Sequence, residues 1–279
     1  MKLKKYGIIT AMSITAAIYC GIAWAATNGT MDLSQLTKDT VYVASEENMD
    51  SVTLRGDLGN YGLKVFGVSG DKDSANLNVT LGSTVVISKD DKYDKAIQFF
   101  GGGANSKIKG DSVLVFDAKE GAILRTVKFS PSSEGGWGSI LLAGGVNGGT
   151  VGGNAKLIIN GDTINSDDIG TTYVKAFAAG AIDNTSPVDS LTVEGDAIAE
   201  MHGSWGGTQD CTALLAGPMV SKSDSTATVK GKCVVTIDGE KAGVNQVFPA
   251  GFLLARNSNI QVQSTQVNVI KGFIPDTLY

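Results

Sequence analysis

The chain is poor in the residues that most enzymes use for chemistry: one histidine and three cysteines in 279 residues. A zinc site takes three or four His, Cys or carboxylate ligands, and one His with these Cys positions makes no recognisable spacing. A Ser-His-Asp triad would have to use His202, which no catalytic motif flanks; its neighbour Met201 points inward and His202 outward. Basic clusters are missing too, and the net charge is −5, so nucleic acid is not an expected partner. Proline is scarce (5) and aromatic residues make up 7% of the chain. With 36 glycines that balance could mean disorder, but low charge and regular Val/Ile/Leu alternation argue for an ordered all-β protein. No run reaches the roughly 20 apolar residues of a membrane span.

The first 25 residues stand apart. Lys2, Lys4 and Lys5 precede an uncharged run from Ile8 to Ile18, and Ala23-Trp24-Ala25 places small residues before Ala26. A basic start, a short apolar core and such a site predict a cleaved secretory signal peptide over 1–25. Cys20 lacks the preceding residues expected of a lipidated cysteine. The segment holds three lysines and no acidic residue, so its removal makes the protein more acidic.

What the sequence does contain is repetition. Ile-Leu-Leu-Ala-Gly-Gly at 140–145 is echoed by Phe99-Phe100-Gly101-Gly102, Phe177-Ala178-Ala179-Gly180, Leu214-Leu215-Ala216-Gly217 and Phe248-Pro249-Ala250-Gly251. Matching Gly102, Gly144, Gly180, Gly217 and Gly251 aligns this half of the unit. The other half runs between paired glycines: Gly153 and Gly161, Gly195 and Gly203, Gly231 and Gly239. Inside those intervals alternate positions are apolar: Ala155, Leu157 and Ile159; Ala197, Ala199 and Met201; Cys233, Val235 and Ile237. Period-2 alternation bounded by glycine predicts half-buried strands between turns. Repetition every few tens of residues predicts a stack of units too small to bury their own apolar faces, a β-solenoid.

In chain order the reading is a cap or linker over 26–50, a solenoid of about five or six repeats over 51–272, and a tail over 273–279. A short strand is expected at 40–44 and a faint helical tendency at 33–36. Polar inserts at 117–138, 162–172, 183–190 and 209–212 are expected to leave the stack as loops and form the default binding surface. The two cysteines after cleavage, Cys211 and Cys233, could lie on successive passes. A disulfide between them, permitted by export, and a small buried thiol at Cys233 stand as equal alternatives.

The signal peptide, the Gly-Gly-rich strands and the repeated Gly-x-Ala-x-Leu-x-Ile-x-Gly pattern together resemble passenger domains of bacterial autotransporters. The resemblance covers roughly residues 52–272. It implies a right-handed parallel β-helix of the pectin-lyase-like kind, and a bacterial protein that is secreted, periplasmic or on the outer cell surface. The passengers' translocating barrel has no counterpart after residue 272, so a separate outer-membrane translocator is a conceivable partner. Matching positions are packing and turn positions, so no functional residue is carried over.

Several short motifs have a functional and a plain reading. Arg55-Gly56-Asp57 matches an adhesion tripeptide, and Gly110-Asp111-Ser112 a nucleophile block. Gly-Asp recurs at 56–57, 70–71, 110–111, 161–162 and 195–196, where glycine turns the chain and Asp hydrogen-bonds the local backbone; repeated turns would generate both motifs. Asp71 with Asp73, and Asp90, Asp91 and Asp94, are acidic clusters without an EF-hand spacing; they read as solvated turns. Trp137 and Trp205, each set among glycines, are candidate sugar-stacking platforms or caps on the core. The expected role is non-catalytic and needs no cofactor or metal: an adhesin-like protein presenting loops to a surface protein or glycan of host or neighbouring cells. Two alternatives are a carbohydrate-active β-helix enzyme and a truncated passenger with no role of its own.

Overall fold

The computed structural model describes residues 29–58, 61–88, 97–119, 122, 124–127, 140–160, 164–165, 174–202, 205–206, 212–243, 246–273 and 277–278; the expected signal peptide lies outside them. Among the described residues there is no α-helix. Apart from two 3-10 turns, Leu33–Gln35 and Ala44–Glu47, the regular elements are strands. Every strand pairing is parallel. Parallel neighbours cannot be joined by a tight hairpin, so strands adjacent in space are distant in sequence, as the repeat predicts.

Thr40–Val43, Leu63–Phe66, Ile97–Phe100, Ile140–Ala143, Val174–Phe177, Thr212–Leu215, Gln246–Val247 and Thr277–Leu278 form one eight-stranded sheet in chain order, here sheet B. Sheet A holds Ser51–Arg55, Ala75–Leu81, Ser112–Ala118, Ala155–Ile159, Ala197–Met201, Thr226–Gly243 and Asn259–Phe273, with short lead-in strands such as Val146–Val151. Sheet C holds Val85–Ser88, Leu124–Val127, Ile164–Asn165 and Trp205–Gly206. The chain visits B, then A, then C, and repeats.

The predicted inward positions line up in columns across sheet A. Ala75, Ser112, Ala155, Ala197, Cys233 and Thr265 share one column; Leu77, Leu114, Leu157, Ala199, Val235 and Val267 the next. Val79, Phe116, Ile159, Met201, Ile237 and Val269 form the third. Up to Cys233, Val235 and Ile237 all are buried. Sheet B contributes Val65, Phe99, Leu142, Ala176, Leu214 and Val247 to the same core. The last strand of sheet A, Asn259–Phe273, is more open, with Val269 46% and Ile270 65% exposed.

Three expectations change. The inserts at 117–138 and 162–172 are not wholly loops, because Leu124–Val127 and Ile164–Asn165 are rungs of sheet C. The segment at 26–50 is more than a cap: Thr30–Asp32 and Thr40–Val43 are the first rungs of sheets A and B. The glycine alignment also slips. Gly101 N–H donates to Ala143 O, Gly144 N–H to Phe177 O and Ala178 N–H to Leu215 O, each at 2.9 Å. The counterparts of Gly144 are therefore Gly101 and Ala178, and Gly180 pairs with Val146 instead. A run of small residues carries no side-chain parity, so it leaves register undetermined. Gly144 itself is required by close approach, since a Cβ there would lie 2.2 Å from Lys156 O.

Candidate functional site

Alternate residues of sheet B face away from the main core, and many of them are apolar as well, alongside Lys64, Gln98 and Lys175. Phe66, Phe100, Leu141, Ala143, Phe177 and Leu215 form a second buried cluster with Ala181 and Met219 from the lead-in strands of sheet A. Phe66 and Phe100 stack at 5.1 Å between ring centroids. Val41, Val43, Phe248 and Phe252 flank this layer and are only partly buried. The outer corner between sheets B and A is therefore a packed apolar floor with half-open ends.

Over this floor lies the insert that follows Gly180–Ile182. It is fixed by buried polar contacts centred on Asp183. The Asp183 Oδ2 pairs with Lys64 Nζ at 3.1 Å, across 119 positions of chain. The Oδ1 accepts from Asn147 Nδ2 at 3.2 Å, from Thr185 Oγ1 at 2.7 Å and from the Thr185 backbone N–H at 2.9 Å. Lys64 Nζ also donates to Thr185 Oγ1 at 2.7 Å and lies 5.8 Å from the Phe100 ring centroid. Ser186 Oγ donates to Val188 O, Lys222 Nζ donates to Ser186 O at 3.0 Å, and Lys222 pairs with Asp189.

Burial pushes the Asp183 carboxyl upward, but the Lys64 charge and the hydrogen bonds from Thr185, Lys64 and Asn147 outweigh it and leave it below the ordinary value. Ionised carboxylates are tolerated in such places only when paired and hydrogen-bonded. Two carbonyl oxygens nearby in the chain's architecture, Asn147 Oδ1 and Gln98 Oε1, are buried without a partner; Gln98 is opposite Lys64 in sheet B. Nothing in the sequence joins the members of this cluster, which come from four separate strands or loops. A lysine among apolar neighbours in Leu-Lys-Val-Phe was the one visible hint.

The residues singled out from sequence are scattered. Arg55 Nε pairs with Asp32 Oδ2 at 3.2 Å, and Gly56 turns against Asp32 with a positive φ of 74°. Ser112 is fully buried and its Oγ donates to Gly144 O at 2.8 Å, so it presents no nucleophile. His202 Nε2 meets Glu200 Oε2 at 2.9 Å, outside the core. Asp73 pairs with Lys109 at 2.7 Å in solvent, and Asp71 accepts from the Lys107 N–H. Among the described residues no group of three His, Cys, Asp or Glu could hold a metal ion.

Trp205 belongs to a strand, bridging Ile164 and Ala242 in sheet C, and so does not stand in a free loop. Cys233 is a buried free thiol whose pKa burial pushes up to about 12. Trp137, Cys211, Asp90, Asp91 and Asp94 lie outside the described residues.

The recurrent Gly-Asp pairs do a different job from the one expected. Asp111 Oδ1 accepts from Asn154 N–H, Asn154 Oδ1 from Asp196 N–H, and Asp196 Oδ1 from Lys232 N–H, at 2.8, 2.9 and 2.7 Å. Each side chain serves the next rung, not its own turn.

Comparison with protein-family models, with curated proteins and with solved structures gives no match. The likeness to autotransporter passengers therefore rests on the N-terminal segment and the repeat residues of the sequence alone.

Proposed function

We propose that the chain is an exported, non-catalytic surface or secreted protein of the adhesin kind, built as a right-handed parallel β-helix. The cyclic visit of the chain to sheets B, A and C supports a solenoid, and parallel crossovers are right-handed almost without exception. The basic, apolar and Ala-x-Ala sequence of residues 1–25 supports export.

The observation that carries the binding role is the insert at 183–190. It stands on the outer corner, exposes Asn184, Pro187 and Asp189, and is held at its base by Lys64, Asn147 and Lys222. A loop ordered before it meets a ligand loses little conformational freedom on binding, which favours affinity. The half-open apolar ends at Val43 and Phe252 give a partner an adjoining surface. The ligand class is a protein or glycan of a host or neighbouring cell surface.

The test is a matrix-protein and glycan array probed with protein starting at Ala26, beside a polysaccharide-cleavage screen. Replacing residues 184–188 by a Gly-Ser linker is expected to abolish array binding while the far-ultraviolet spectrum stays β. Undiminished binding by that folded variant would sink the loop assignment, and polysaccharide turnover would overturn the non-catalytic reading.

A further inference from the structure

One carboxylate in the outer corner holds two groups that can react with each other. Asp183 Oδ2 takes the Lys64 amine at 3.1 Å, while its Oδ1 takes the Asn147 amide nitrogen at 3.2 Å. Asn147 is 1% exposed. It occupies a position that its register partners, Ala104 and Ala181, fill with alanine. A buried amide at an alanine position, with its Oδ1 unpartnered, is a poor choice for packing alone. Phe66 and Phe100, both buried, form the apolar floor beneath.

From this geometry we infer that Lys64 and Asn147 are joined by an intramolecular isopeptide bond whose formation Asp183 promotes. Asp183 takes a proton from the Lys64 ammonium, freeing an amine nucleophile. The Nζ attacks Asn147 Cγ, the Nζ–Cγ bond forms, the protonated Asp183 gives its proton to the departing Nδ2, and the regenerated carboxylate takes the surplus proton from the now cationic Nζ, which the released ammonia carries off as ammonium. The Cγ–Nδ2 bond breaks and ammonia leaves. No oxidant, reductant or co-reactant is needed. Holding the three groups together in a dry corner supplies the proximity that the reaction otherwise lacks. The bond would tie the strand Leu63–Phe66 of sheet B to the lead-in strand Val146–Val151 of sheet A, a covalent brace independent of whatever the insert binds.

The test is the intact mass of the purified full chain, read against the mass of its own N-terminus onward. The expected result is a deficit of about 17 Da, the mass of ammonia, with a branched peptide containing Lys64 and Asn147 after digestion. Lys64→Arg keeps a cation against Asp183 but removes the amine, and Asn147→Ala copies the neighbouring rungs; both are expected at full sequence mass. Asp183→Ala should restore full mass as well. A wild-type protein that is folded and at full mass overturns the inference. So does a deficit that survives in Lys64→Arg, because Asn147 would then have cyclised onto the Gly148 nitrogen, and so does a branched peptide joining Lys64 to Asp183 instead.

Discussion

Asn154 stands one rung beyond Asp111 in the stack, and the two are joined by a 2.8 Å hydrogen bond from the Asn154 backbone to the Asp111 carboxylate. Lys156 adds an ion pair to the same carboxylate at 3.2 Å. Removing the acceptor leaves a backbone N–H without its partner. Asp111→Ala is expected to lower stability by about 1–2 kcal/mol, and Asp111→Asn, which keeps an oxygen for Asn154, by less. Urea unfolding midpoints would check this; equal midpoints for Ala and wild type would refute the ladder's contribution.

Acid should weaken the same contact. The Asn154 N–H holds the Asp111 carboxyl below its ordinary value, with burial opposing and Lys156 assisting. The Ser34 hydroxyl does likewise for Asp32. A carboxyl whose pKa is lower folded than unfolded stabilises the fold fully above the unfolded value and loses that contribution as pH falls through the folded one. The thermal midpoint should therefore hold near neutrality and fall below about pH 4. Asp111→Asn should flatten part of that fall, and a midpoint that rises on acidification would contradict the assignment.

Gly144→Ala tests the close approach at the bend. The added Cβ would press on backbone oxygens of Lys156 and Ala178, at 2.2 and 2.8 Å, and backbone yields little. The expected loss is about 1–3 kcal/mol, toward the upper end. Wild-type stability in a chemical melt would show that the bend has slack.

Cys233→Ala should be well tolerated, within about 1.5 kcal/mol, because the column already holds alanine at Ala155 and Ala197. The thiol, buried with its pKa pushed up to about 12, should resist alkylation at pH 8 until the protein is unfolded. Rapid labelling of Cys233 in the native protein would contradict the buried column.

Ser112 supplies a last check. A serine-directed phosphonate probe should leave it unlabelled, since its hydroxyl is sealed in the core against Gly144 O. Labelling of Ser112 in folded protein would reopen the hydrolase reading.

The inward columns of sheet A were legible because Ala155, Leu157 and Ile159 and their copies alternate with period 2, the signal a half-buried strand cannot avoid leaving. Beyond the run at Val85–Ser88, sheet C was not, because Leu124–Val127 and Ile164–Asn165 are short and set in polar surroundings. The Gly-Asp pairs were visible but their partners were not: a hydrogen bond between Asp111 and Asn154 depends on which rung stacks on which. The Lys64, Asn147 and Asp183 cluster was illegible for the same reason in stronger form, since nothing local links positions 64 and 183.

The oxygen ladder from Asp111 to Lys232 points one way. Asn154 and Asp196 each offer a side-chain acceptor to the rung that follows and take one from the rung before. A unit copied in tandem would thus arrive with both halves of the joint already in place. Lengthening such a protein calls for no invention at the seam, so the number of its rungs is a quantity that gene duplication alone can adjust.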